Sequence, residues 1–214
     1  PAYVVPYRGD DEVPKEIFAR INRRGRALTR QAVFDALHAR GAMGKPLEYV
    51  ATSLTRLGFG ALSPSVIERS TVALLGRSPG AIPEKLGDAD EVRVLFDRVE
   101  RSLARAIEFL SAEAGVPHQD WLPYDGVLPT LARLFALHPE LHPRNTELLV
   151  RWFWRGSLAG VHQTNNAVNG PQWAAIRDDE HGSVQRLLRL LPTFTRERLS
   201  WHLEAYRRGT ADTD

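Results

Sequence analysis

The sequence predicts a mainly α-helical protein, a bundle-like body with one residual strand at its N-terminal end. Three observations predict it. Apolar residues recur at three- and four-residue steps through most of the chain from Lys45 onward, the period of a helix with one buried face. Glycine and proline punctuate those stripes where helices would stop and start. Strand composition is confined to PAYVVPY at residues 1–7, where Tyr3, Val4 and Val5 lie between prolines.

That strand has no partner elsewhere in the sequence and reads as the last strand of a sheet whose remainder would lie upstream. Asp10, Asp11 and Glu12 suit a helix N-terminus, where free N–H groups and the dipole favour negative charge, and Pro14 fits a first turn. This helix would bury Ile17, Phe18 and Ile21 and stop at Gly25. Thr29 would cap a second helix with Val33, Phe34 and Leu37 inward, ending at Gly41. Leu47, Val50, Ala51, Leu54 and Leu57 form the next stripe, closed by Gly58. Ser63 and Pro64 open a helix through Val66, Ile67 and Leu74, and a loop rich in Gly and Pro runs from Gly76 to about Asp88.

The clearest helix spans residues 90–114, with Val92, Leu95, Phe96, Val99, Leu103, Ala106, Ile107 and Leu110 on one face and Gly115 after it. Helices follow at about 125–138 and 144–160, shorter ones near 171–177 and 179–191, and a last near 195–208.

With 214 residues, 43% of them hydrophobic and 25% charged, the chain is long enough and apolar enough to bury a core. A net charge of +2, at a pI of about 9.2, does not by itself call for DNA or an anionic membrane. The absence of cysteine excludes a disulfide framework, a thiolate nucleophile and a cysteine zinc site, and fits a cytoplasmic protein. No apolar run approaches the ~20 residues that span a bilayer, so no membrane partner is expected. The chain begins at Pro1 without Met or a signal-peptide pattern, and is expected to be a segment of a longer protein.

Several constellations bear on chemistry. FARINRRGRALTR at 18–30 places Arg20, Arg23, Arg24, Arg26 and Arg30 around Asn22 and Gly25. Arginine forks bind phosphate oxygens in pairs, yet cations also suit a solvated helix C-terminus, and spacing alone favours the solvated end. Asn22, close to a helix-terminating glycine, serves equally to bind a ligand or to cap a turn.

In WFWRG at 152–156, stacked aromatics beside an arginine are able to hold bases. However, Leu149, Trp152, Phe153, Gly156 and Gly160 share a helical face, and the core reading is preferred. His138 and His142 have the spacing of two metal ligands on one helix face, but Pro139 and Pro143 make them span a helix end, and no metal site is expected. Asp178–Asp179–Glu180–His181 reads as an anionic helix start. Neither GxxxxGK[ST], GxGxxG nor HExxH occurs, and no nucleophile, base and orienter can be picked out together, so no complete active site can be assembled.

The segment Phe18-x-Arg20-Ile21-Asn22-x-x-Gly25-x-x-Leu28-Thr29 resembles the F-x-R-I-N-x-x-G-x-x-L-[ST] signature of the ParB-like family called domain of unknown function 262, the GmrSD-type restriction endonuclease N-terminal domain. LPYDGVLPTLARLF (122–135) and ELLVRWFWRGSLAG (147–160) are similar to the helical part of the same proteins. The resemblance implies a small sulfiredoxin/ParB-type α/β domain, truncated here to its final strand, followed by a helical region. It implies residues 1–42 as the end of the ParB-like domain and 43–214 as an all-helical domain.

In the family, NTP binding or hydrolysis depends on a D-G-Q-Q-R motif. No DGQQR occurs in this chain, nor does the HNH-type nuclease pattern of many relatives. The resemblance therefore implies a segment without catalysis of its own, and without cofactor, whose parent would use an NTP and a divalent metal. Arg20 and Asn22 would edge the parent's nucleotide pocket, and Arg23, Arg24, Arg26 and Arg30 would meet phosphate or simply water. Expected partners are DNA, the missing N-terminal domain, or a second copy paired through the open N-terminal strand.

Overall fold

The computed structural model describes residues 46–81, 86, 88–163 and 166–193. The N-terminal strand, the two helices expected before residue 42 and the helix expected near 195–208 lie outside the described residues. Among the described residues there are seven α-helices and no strand. They are α1 (Pro46–Thr55), α2 (Pro64–Leu74), α3 (Ala89–Glu108), α4 (Val127–Leu137), α5 (Pro143–Leu158), α6 (Asn166–Ala175) and α7 (Glu180–Arg189). The mainly helical expectation is met by these residues.

Helix ends follow local chemistry. Pro64 and Pro143 occupy the first turns of α2 and α5, where the missing N–H costs nothing. Asp88 caps α3: its Oδ1 accepts from the N–H groups of Asp90 and Glu91, both at 2.9 Å, while Glu91 Oε2 accepts from the Asp88 N–H at 3.1 Å. After Glu108 the helix widens into one π-turn, Phe109–Glu113, and Gly115 at φ +74° reverses the chain. The expected 90–114 helix is therefore one α-helix ending in a π-turn.

The helix expected at 171–177 instead begins at Asn166, with Pro171 in its interior.

α3 is the spine. It packs on α4 and α1, α4 also lies along α2, and α5 pairs with α7. One buried cluster joins Leu54, Ile67, Phe96, Leu103, Phe109, Leu131, Phe135, Leu149, Trp152 and Phe153. The Phe109 and Phe135 rings meet at 5.8 Å between centroids, and the Arg105 guanidinium lies 4.9 Å over Phe135. A smaller cluster of Val72, Ala73 and Trp173 lies where α2 ends beside α6. No helix among the described residues is long and apolar enough to cross a membrane.

Candidate functional site

The residues singled out in the sequence for nucleotide and phosphate contact, Arg20, Asn22, Arg23, Arg24, Arg26 and Arg30, lie outside the described residues. Within the described body, polar groups gather at three places.

The first surrounds WFWRG on α5. Leu149, Trp152 and Phe153 are fully buried and Gly156 faces inward with them, as the core reading requires. Trp154 points away and donates its Nε1–H to the Ala114 carbonyl at 3.1 Å. A Cβ on Gly156 would overlap the His162 ring, so glycine here makes the seat for a buried histidine. That ring lies 4.4 Å from the Trp152 ring and stacks at 6.0 Å on Phe153. Its Nε2–H donates to the Phe153 carbonyl at 3.0 Å. Burial drives the His162 pKa down from 6.5 to about 4, and the backbone hydrogen bond opposes only part of that shift. His162 is a neutral core side chain near pH 7.

The second place is the junction of α4, α5 and α7. His138 is the C-cap of α4 and His142 the N-cap of α5, so the i, i+4 pair does span a break between helices. His142 Nδ1 accepts from the Arg144 N–H at 3.3 Å, and His138 Nε2–H donates to the Arg177 carbonyl at 2.8 Å. Glu180, in the first turn of α7, accepts at one oxygen from the His142 N–H at 2.8 Å and from Asn145 Nδ2 at 2.6 Å. Asn145 Oδ1 accepts in turn from His181 Nδ1–H at 2.8 Å. Burial pushes the Glu180 carboxyl up. The hydrogen bonds from Asn145 and the His142 N–H, aided by the field of His138 and His142, outweigh it and hold the carboxyl below the usual range.

Next to the junction, Asp179 binds Arg186 through both carboxylate oxygens, at 2.7 and 3.2 Å, and this hydrogen bonding lowers the Asp179 carboxyl. The anionic helix start read in the sequence is present: Glu180 reaches the N-terminal end of α5, while Asp179 pairs with Arg186 of its own helix. Among the described residues no group of three histidines or carboxylates is arranged to hold a metal.

The third place is a notch of about 220 Å³ between the end of α2, α4 and α6. Gly76, Arg77, Ser78 and Pro79 form one wall, Gly170, Trp173 and Ala174 another, and Arg133 the floor. Arg133 is the single cation in the apolar helix VLPTLARLFAL. Its Nε–H donates to the Trp173 carbonyl at 2.9 Å and its Nη1–H to the Ala73 carbonyl. Both acceptors lie near helix C-terminal ends, where they also accept from the Gly76 N–H at 3.0 Å and the Ile176 N–H at 3.3 Å. Burial lowers the pKa of Arg133, and the nearby Arg98 lowers it further. The guanidinium nevertheless stays charged, because arginine starts so far above neutral pH. Among the described residues no carboxylate pairs with Arg77 or Arg133.

Neither a family model, a curated protein nor a solved structure matches the chain.

Proposed function

We propose that this chain is the helical part of a bacterial GmrSD-like defence or restriction protein, working in the cytoplasm as a scaffold that contacts nucleic acid or a partner. The reading rests on one observation: the F-x-R-I-N-x-x-G-x-x-L-T segment joined to a run of amphipathic helices, without a DGQQR motif. The two segments that carry the rest of the resemblance overlap α4 and α5, and both helices supply large parts of the core. In this proposal Arg20 and Asn22 edge a nucleotide pocket completed by the parent's ParB-like domain, and Arg23, Arg24, Arg26 and Arg30 meet phosphate. The NTP, the divalent metal and the bond-breaking chemistry belong to the parent.

The test is a paired assay of NTP hydrolysis and DNA cleavage on this chain alone and on the full gene product. The proposal expects turnover only with the longer protein. Robust turnover by this chain alone would overturn it.

A second reading, that of a free-standing helical nucleic-acid-binding or self-associating module, follows from the five arginines at 18–30. It expects DNA affinity falling steeply with salt, because each phosphate contact releases a counterion. Affinity insensitive to salt would exclude phosphate as its main contact.

A further inference from the structure

We infer that the notch between α2, α4 and α6 is an oxyanion site that takes a phosphate group, with Arg77 and Arg133 as its cations. The inference stands on geometry alone and does not depend on the family reading.

A guanidinium offers five N–H donors. Arg133 directs its Nε and Nη1 donors at two backbone carbonyls, which fix the plane of the group without neutralising its charge. Nη2 makes no hydrogen bond to the described residues and remains a donor at the floor of the notch. Gly76 lies against this edge: a Cβ built there would be in ordinary contact, 3.6 Å from Nη1 and 3.9 Å from Nη2. Its φ of +69° is one that residues other than glycine rarely adopt, so the turn that carries Arg77 to the notch selects glycine here.

The next residue, Arg77, brings a second cation to the wall, with Ser78 beside it as a hydroxyl donor. Arg98 adds positive field at Arg133. The apolar wall of Trp173, packed on Val72 and Ala73, keeps the effective dielectric low and strengthens attraction for an anion.

Two cations from different elements and a hydroxyl line the space. This suits a tetrahedral phosphate oxyanion better than a flat carboxylate. The notch is large enough for a phosphate group and part of what it is attached to.

The experiment titrates inorganic phosphate into the full chain, following melting temperature and heat of binding, with chloride at matched ionic strength as the control. Saturable stabilisation by phosphate and none by chloride is expected. Arg77→Gln should keep the fold and weaken the response about tenfold, as loss of one charge-assisted contact does. No saturable response in the wild type, or an unchanged one in Arg77→Gln, would overturn the inference.

Unphosphorylated single-stranded DNA is then added as a competitor to locate the source of the phosphate. Displacement of phosphate by the strand assigns the site to backbone phosphodiesters. Failure to displace it assigns the site to terminal phosphates, and either outcome is compatible with the inference.

Discussion

The α4–α5–α7 junction and the notch are both polar, and they differ in where their charge goes. At the junction one Glu180 oxygen receives two donors, Asn145 links that carboxylate to His181, and Asp179 closes on Arg186. At the notch Arg133 is held by carbonyls alone, and no described carboxylate pairs with it or with Arg77. A polar cluster whose donors and acceptors are matched internally holds helix ends together and has little left to offer a ligand. A fixed cation whose charge is unmatched retains an electrostatic field that an anion can complete. The histidines that look like metal ligands in sequence are consequently structural, while an arginine on an apolar helix faces the open space.

The largest expected effect lies on the closed side of this comparison, in buried His162. Its folded pKa is below its unfolded value, so between these values the unfolded chain binds the extra proton. Stability is then fully present above pH 6.5 and is lost as pH falls toward about 4. The loss should reach about 3 kcal/mol, measured as urea unfolding at stepped pH, and it should shrink in His162→Gln.

Asn145→Leu should cost about 2 kcal/mol, since it removes a donor from Glu180 and an acceptor from His181 at once. A neutral result in chemical denaturation would mean that the junction does not hold α5 to α7.

Arg133→Met should cost a similar ~2 kcal/mol, because it removes two charge-assisted hydrogen bonds at once, although the Ala73 and Trp173 carbonyls still accept from the Gly76 and Ile176 N–H groups. A much smaller loss would show that Arg133 is no clamp between α2, α4 and α6. The smallest effect is expected for Arg77→Gln, which should change stability by less than ~0.5 kcal/mol. A loss as large as that of Arg133→Met would mean Arg77 is also a structural cation and would blur the contrast.

Much of the described fold is legible in the sequence, because a helix advertises itself locally. The stripe from Val92 to Leu110, the Ser63–Pro64 start and the Gly115 stop reappear in α2, α3 and their ends, whereas α1 ends already at Thr55 and Leu57, expected on its stripe, is exposed. α6 starts at Asn166, ahead of the expected 171–177, and carries Pro171 in its interior. The junction was not legible, since His142 and Glu180 are 38 residues apart and nothing in local periodicity pairs them. The notch carried one readable signal, a lone arginine in the otherwise apolar VLPTLARLFAL. A cation in such a helix must find acceptors, but only the fold shows that they are the Ala73 and Trp173 carbonyls.

The most direct test follows arginine Nε resonances by NMR while inorganic phosphate is added at constant ionic strength. The account predicts that the Arg133 signal moves saturably while that of Arg186, closed on Asp179, stays in place. Arg133 and Arg186 both standing still, or drifting together without saturation, would contradict it.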